Sequence, residues 1–331
     1  MRLLTVLWPA LVLSLALLLI PSASAYPGSV AGVLGIADNL IPDGLIAAKS
    51  NAIFLPVYSF SAGNLTAHVL DVGQGDSILI QFKGKNILID GGEREMGPRV
   101  ASYLRDRGVS KIDLMVATHP HSDHIGGLLE ILDKFQVLKV LDSGQPHTSK
   151  TYEDFLTRID RKDIPYQVAE AGQRIDLNPG IDIEVLSPPA RRLADDLNQN
   201  SVVLRIVYGK VALLLMGDAG VEAEKVIISS GFEVKSDVLK VGHHGSKSAT
   251  GGSFLKRVDP KVSIISAGLG NPYGHPAPEI IKRLQKSGIQ IYRTDLQGTI
   301  DVTTDGVAIY VSTQARGGTA KAAAVRQKAE A

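Results

Sequence analysis

The stretch Thr118-His119-Pro120-His121-Ser122-Asp123-His124 puts three imidazoles and a carboxylate within six residues. An apolar run bounded by turn signals, residues 112–117, comes directly before it and predicts a buried strand. Side chains at i and i+2 of an extended chain project to one side, so His119 and His121 leave the strand end together. Asp123 and His124 then turn into Gly126 and Gly127, with a helical stretch expected over 125–135. So many polar groups cannot all be satisfied in a core. Nitrogen and oxygen donors gathered at a strand end have instead the composition of a divalent-metal site. Two other segments end the same way. Residues 211–216 run apolar into Gly217-Asp218, and 238–241 run into Gly242-His243-His244-Gly245-Ser246.

Away from these segments, residues 64–313 alternate strands and helices. Runs at 65–70, 77–82 and 86–90 are separated by glycine-rich turns and read as a meander. Pro98 opens a helix through 107, where proline suits a first turn. A further helix is expected at 152–161. Strands return at 181–186, 201–208 and 211–216, followed by a helix at 222–228, strands at 238–241 and 262–267, and a helix at 279–286. Strands at 291–294, 299–303 and 307–311 close the domain. Meanders followed by helices, twice over, predict two packed sheets with helices outside, not one doubly wound parallel sheet.

The ends read differently. Arg2 precedes an almost unbroken apolar run to Ile20, then Pro21 and Ala23-Ser24-Ala25, the layout of a secretory signal peptide over 1–25. An uncleaved membrane anchor is the competing reading. Residues 26–63 form a lead segment without period. Residues 314–331 are small, basic and aperiodic, which predicts a disordered or loosely helical tail. The whole chain carries +1, but the two ends hold the positive excess and 26–313 is near −3. Such a balance excludes a general polyanion binder and leaves only local nucleic-acid contact. The 331 residues suffice for one large domain or two small ones, and a composition 44% hydrophobic and 21% charged excludes wholesale disorder. With no cysteine, disulfides, thiolate zinc sites, iron–sulfur clusters, cysteine nucleophiles and lipoprotein anchoring are excluded.

The sequence resembles the metallo-β-lactamase superfamily, whose HxHxDH signature is His119-x-His121-x-Asp123-His124 here. More specifically it is similar to the metallo-β-lactamase-like domain of the ComEC competence proteins. The matching stretches are Leu70-Asp-Val-Gly-Gln-Gly-Asp-Ser77, Ile89-Asp-Gly-Gly92, Asn198-Gln-Asn-Ser201, Leu215-Met-Gly-Asp218, Leu239-Lys-Val-Gly-His-His-Gly-Ser246, Tyr273-Gly-His-Pro276 and Tyr292-Arg-Thr-Asp295. The resemblance implies an α/β (α+β) fold, an αββα sandwich of two mixed β-sheets with helices on the outer faces and two divalent ions at one edge. His119 and His121 would hold the first ion, Asp123 and His124 the second, and Asp218 would bridge both. One of His243 and His244 would complete the second, His244 being favoured and His243 facing substrate. Asp90 and Asp76 would orient ligands rather than bind metal. Many relatives supply a further histidine just before the strand at 201–208, where this sequence has Asn198-Gln199-Asn200-Ser201. Fewer nitrogen ligands at the first ion shift the expectation from zinc toward manganese. No segment after Ile20 approaches a spanning length. A standalone exported relative is therefore expected, and a role in DNA uptake through a channel is not carried over.

Two divalent ions about 4 Å apart hold a hydroxide and clamp the oxygens of an in-line displacement. Asp123, His243 and His275 are the candidate catalytic residues, His275 serving as acid or donor from the stiff stretch Gly274-His275-Pro276-Ala277-Pro278. Ser246, Lys247 and Asn200 are candidate substrate contacts. His68 and His147 match no ligand motif and read as ordinary residues. The leading expectation is an exported metal-dependent phosphodiesterase, a nuclease acting on DNA. A phosphocholine esterase, a lactonase-type ester hydrolase and a non-enzymatic binding module are the alternatives. A nuclease should carry basic residues beside the metals, from among Arg94, Arg99, Lys247, Lys256, Arg257 and Arg293.

Overall fold

The computed structural model describes residues 63–193, 196–314 and 321–325. The expected signal peptide and all but the last residue of the lead segment lie outside them.

The chain opens with an antiparallel meander of β1 (Leu65–Val69), β2 (Ile78–Phe82) and β3 (Lys85–Ile89). α1 (Gly97–Asp106) leads to β4 (Lys111–Ile112) and β5 (Leu114–Ala117). α2 (Ser122–Ile125) and α3 (Leu128–Lys134) lead to β6 (Gln136–Val137) and β7 (Val140–Asp142), and α4 (Lys150–Arg161) to β8 (Tyr166–Val168). β3, β5, β7 and β8 run parallel. The second half begins with antiparallel β9 (Ile181–Ser187), β10 (Val203–Tyr208) and β11 (Val211–Leu215). It continues through α5 (Val221–Ser229), β12 (Val238–Lys240), α6 (Gly252–Val258), β13 (Val262–Ile265), α7 (Pro278–Lys286) and β14 (Gln290–Arg293), with β11 to β14 parallel. After α8 (Thr294–Gln297) the chain returns to the first sheet as β15 (Thr299–Thr304), β16 (Ile309–Gln314) and β17 (Lys321–Val325). The sheets are ordered β17-β16-β15-β1-β2-β3-β5-β7-β8 and β14-β13-β12-β11-β10-β9.

Alternation along the strands sets the layers. In β2, Ile78, Ile80 and Phe82 join the core between the sheets, while Leu79 lies under the helices. Ile87 and Ile89 of β3 likewise point inward and Leu88 outward, and in β11 Leu213 and Leu215 oppose Leu214. Val100, Leu104, Leu128, Phe155 and Ile159 cover the first sheet from α1, α3 and α4. Ile227, Phe254, Ile280 and Leu284 cover the second from α5, α6 and α7. This is an αββα sandwich. Its central strands are apolar on both faces, and each leucine or isoleucine buried there contributes roughly 1.5–3 kcal/mol.

Four expectations are corrected in detail. The strand at 112–117 is broken at Asp113, whose carboxylate accepts from Asn86 N (3.0 Å) and Lys85 Nζ (2.9 Å). The helix at 125–135 is two helices parted at Gly126 and Gly127. β7, β8 and α6 arise where no element was expected. In the tail, residues 321–325 form β17 on β16, with Thr313 opposite Lys321 and Ile309 opposite Val325. Edge pairing needs only backbone donors and acceptors, so an aperiodic, alanine-rich run can still pair.

The C-terminal ends of β5, β11, β12 and β13 meet at one edge of the sandwich. There Thr118 O accepts from Val202 N (2.9 Å), joining the two sheets.

Candidate metal centre

The loops at this edge pack as closely as backbone allows. Gly217, just before Asp218, has φ 51°, and a Cβ there would come within 3.1 Å of Thr118 Cβ and 3.2 Å of Ser201 Cβ. Gly75 has φ 120°, and a Cβ there would overlap the carbonyl oxygen of Asp123. Both positions favour glycine for conformation as well as space.

Asp218 Oδ2 is the hub. It lies 3.3 Å from His244 Nε2, 3.4 Å from His124 Nε2, 3.8 Å from His243 Nε2 and 3.9 Å from His119 Nε2. Asp123 Oδ2 is 3.7 Å from His124 Nε2 and 3.5 Å from His244 Nε2. On the other side His119 Nε2 and His121 Nδ1 stand 3.0 Å apart. Asp123, His124, Asp218 and His244 thus make one group, and His119, His121 and Asp218 a second that shares the carboxylate. His244 occupies the inner position. His243 is partly exposed, with Nε2 3.4 Å from Asn198 Nδ2. Both residues have left-handed φ, 47° and 53°, so the simple alternation of an extended chain does not apply to them.

The outer contacts fix which nitrogen of each ring faces inward. Asp90 Oδ1 accepts from Thr118 N (2.8 Å), and Oδ2 accepts from Thr118 Oγ1 (2.7 Å) and His124 Nδ1 (2.8 Å). His124 therefore carries its proton on Nδ1. Thr118 Oγ1, already donating to Asp90, accepts from His119 Nδ1 (3.1 Å). His244 Nδ1 donates to Ser266 O (3.0 Å). All three rings turn Nε2 inward, the nitrogen a metal would take on displacing its proton.

Buried without a hydrogen-bond partner are His124 Nε2, His244 Nε2 and Asp218 Oδ1. Burial opposes charge on His124, yet Asp218, Asp123 and Asp90 raise it well above the ordinary imidazole value. His244 is raised to about 9 against its burial, chiefly by Asp218 and Asp123. Burial opposes ionisation of Asp218, yet His244 and His124 hold it well below the carboxylate range. Burial and His124 push His119 far down, and burial pushes His121 down. His119 Nε2 and His121 Nδ1 converge to 3.0 Å, and the Asp123 and Asp218 carboxylates are ringed by imidazole nitrogens. The donor set fits divalent metal of the zinc or manganese type.

Beneath the centre, Lys240 Nζ is fully buried and donates to Asp76 Oδ2 (2.6 Å) and Val241 O (3.0 Å). Asp76 lies 3.6 Å from His244 Nδ1, but that nitrogen is already committed to Ser266, so Asp76 serves mainly as the counter-charge of Lys240. Lys240 went unnoticed in the sequence. Its signal was a lysine inside an apolar strand.

An open cleft of about 540 Å³ gives access, lined by Gln74, Glu93, His121, Asn198, Tyr273 and His275 beside the central residues. His275 Nδ1 is buried without a partner, and its ring lies 5.6 Å from that of His243 and 6.4 Å from that of His244. Burial and those two histidines lower its pKa, so the ring is neutral at pH 7. Asn200 must be corrected as a substrate contact. It is fully buried, its Oδ1 accepting from Leu193 N and its Nδ2 donating to Leu193 O and Asp196 O. Asn198 is the amide that reaches the cleft. Ser246 and Lys247 are not among the lining residues; Ser246 Oγ bonds Ser248 Oγ (2.9 Å), and Lys247 is exposed. Of the six basic candidates, none lines the cleft. Arg94 pairs with Asp154, Arg99 with Asp71 and Arg293 with Asp295.

His147 stands 6.3 Å from His121, ring edge to face. Its Nδ1 accepts from Ser149 Oγ (2.8 Å) and Ser149 N (3.4 Å), so its proton sits on Nε2 as an N–H donor. The sequence set it aside; the only signal was a histidine two residues ahead of the serine that caps α4.

A family model described as the metallo-beta-lactamase superfamily matches residues 70–268. ComE operon protein 3 of Bacillus subtilis is 32% identical over 251 residues, covering 70% of this chain and 32% of that protein. Competence protein ComA of Neisseria gonorrhoeae is 34% identical over 236 residues, covering 70% and 31%. Ribonuclease Z of Clostridioides difficile is 48% identical over 56 residues, 17% of each chain. The chain spans about a third of the length of the first two relatives. Among the described residues, no helix is long and apolar enough to cross a membrane.

Proposed function

Since the chain belongs to the metallo-β-lactamase superfamily, a fold of metal-dependent hydrolases, we propose that its substrate is a phosphodiester and that the polymer it cuts is DNA. The observation that carries the reading is Asp218 Oδ2, set 3.3–3.4 Å from two inward-facing imidazole nitrogens at the floor of an open cleft. Two divalent ions bound there would supply the Lewis acidity and the activated water for in-line attack on phosphorus. His119 and His121 would hold one, Asp123, His124 and His244 the other, and Asp218 both. No side-chain nucleophile is needed, and Ser122, the serine lining the cleft, donates to Glu93 (3.3 Å).

His275, neutral and facing the cleft, would donate to a non-bridging phosphate oxygen. His243 and Asn198 at the rim would orient the diester. With no further imidazole in Asn198-Gln199-Asn200-Ser201, the first ion would have fewer nitrogen ligands and be open to manganese as well as zinc. The cleft lining lacks the lysines and arginines expected beside a nuclease's metals, so support for a nucleic-acid substrate comes from the likeness to the ComEC group and to a protein named ribonuclease Z. The run ending Ala23-Ser24-Ala25 supports export. N-terminal sequencing of secreted protein should begin at Tyr26, and an intact Met1 in washed membranes would refute that.

The test of the activity is hydrolysis of linear DNA and bis-p-nitrophenyl phosphate with manganese, zinc or magnesium. Both should be cut, and Asp218→Ala should abolish both while the far-UV spectrum is kept. Cleavage of the small diester alone would remove DNA, and cleavage of neither would remove the phosphodiesterase reading.

A further inference from the structure

The loop between β13 and α7 forms one wall of the cleft and carries two apolar side chains into water. Tyr273 is 67% exposed, the most of any large hydrophobic residue among those described, and Leu269 is 64% exposed. The loop is nevertheless wired in place. Asn271 Oδ1 accepts from Tyr273 N (3.2 Å) and His275 N (3.0 Å), and Asn271 Nδ2 donates to Gly268 O (2.9 Å) and His275 O (2.5 Å). Gly268 N donates to Oε1 of Gln74 (3.2 Å), itself a residue of the cleft lining. Tyr273 is therefore a ring held out on a braced support.

Its orientation is specific. The ring stacks on His275 at 5.8 Å and 23°, and His275 in turn neighbours His243 and His244. The Tyr273 ring is thus largely exposed at the cleft wall and one ring spacing from the histidines around the metal centre. Meanwhile the cleft lining has no lysine or arginine and includes the carboxylates of Glu93 and Asp123. Phosphates are not gripped by cationic side chains there, so affinity for a nucleic acid must come from another source.

Resting on the phosphodiesterase reading above, we propose that Tyr273 is a stacking platform for an unpaired nucleobase beside the scissile phosphate, so that the site selects single-stranded over paired DNA. An aromatic ring accepts any base by its π-face, whatever the sequence. In a duplex those faces are covered by neighbouring bases and unavailable. A single flat ring backed by a neutral imidazole also differs from the cage of several rings that surrounds a quaternary ammonium group.

The test uses the full chain, Tyr273→Ala and Tyr273→Phe. The substrates are a single-stranded oligonucleotide containing 2-aminopurine, its duplex, and an abasic oligomer of equal length. Tyr273→Ala should raise KM for the single strand on the order of 5- to 150-fold, the range for losing one base–aromatic stack, and the preference of wild type for the single strand over the abasic oligomer should vanish with it. Tyr273→Phe should behave as wild type. Binding should quench 2-aminopurine fluorescence in wild type and Tyr273→Phe but not in Tyr273→Ala, and all three should melt together because the ring is exposed. If wild type degrades the single strand and Tyr273→Ala matches it in KM and quench, this inference falls and the nuclease reading stands. Equal KM for duplex and single strand in wild type would also overturn it. If wild type cuts bis-p-nitrophenyl phosphate but no oligonucleotide, the DNA reading falls and this inference with it.

Discussion

Asp90→Asn would change one atom of a residue that never reaches the cleft, and it should loosen the metal centre. Asp90 is fully buried and receives three hydrogen bonds, from Thr118 N, Thr118 Oγ1 and His124 Nδ1. An asparagine in the same pose has one acceptor oxygen. If its amide nitrogen faces His124, the imidazole must accept at Nδ1 and carry its proton on Nε2, where it blocks the lone pair aimed at Asp218. If the amide nitrogen faces Thr118 N instead, two donors confront each other in a dry site at a cost of about 1–3 kcal/mol. Loss of an outer carboxylate behind a ligating histidine weakens metal affinity by about 10- to 100-fold. That is about 1.4–2.7 kcal/mol. A competition titration against a chromophoric chelator should show the weakening at one ion of the two, the one held by His124. Activity should return when the metal concentration is raised in proportion. An Asp90→Asn protein that binds both ions as tightly as wild type would refute the reasoning.

Lys240→Met should cost about 3–5 kcal/mol in urea unfolding by stranding the buried Asp76 carboxylate, and adding Asp76→Asn should recover much of it. Purely additive losses would count against the pair. Glu224 is raised by burial from 4.5 to about 7, so the folded chain holds that proton more tightly than the unfolded chain does. Its contribution to stability is complete below pH 4.5 and lost as pH rises through about 7, on the order of 3 kcal/mol. Glu224→Gln should flatten the melting temperature between pH 5 and 8, and an unchanged slope would dismiss the residue. His275→Ala should keep full metal content while turnover falls roughly 10²- to 10³-fold. The fall should be equal on DNA and bis-p-nitrophenyl phosphate, because a ring kept neutral donates without giving up a proton. A loss confined to DNA would mark a general acid.

Apolar, β-rich runs parted by glycine-rich turns made β1 to β3 legible, and inside those strands alternate side chains meet different cores. β7 and β8 are three residues each, too short to show a period. β17 rests on backbone pairing that leaves no mark on side-chain type. Density made His119, His121, Asp123 and His124 readable as a site. His244 was favoured over His243 from the resemblance, and the structure puts it inward through left-handed backbone at both, a conformation the sequence does not display. Asn200 and Asn198 sit two apart in the same short turn, and only burial tells which one faces the cleft. Tyr273 looked like part of a motif, whereas what distinguishes it is exposure.

The groups that face one another across this edge come from distant parts of the chain, His119 to His124 after β5 in one sheet and Asp218 and His244 after β11 and β12 in the other. Any cation they share is therefore a clasp across the sandwich. Closing it would lift stability with the logarithm of free metal over its dissociation constant, about 2.7 kcal/mol at a hundredfold excess. Opening it would leave the Thr118–Val202 hydrogen bond, the buried Lys240–Asp76 pair and nearby packing to keep the sheets together at that rim. Amide exchange around Val202 should then report ion occupancy at a distance from the ions themselves, and chelation would be felt first as a parting of the two halves.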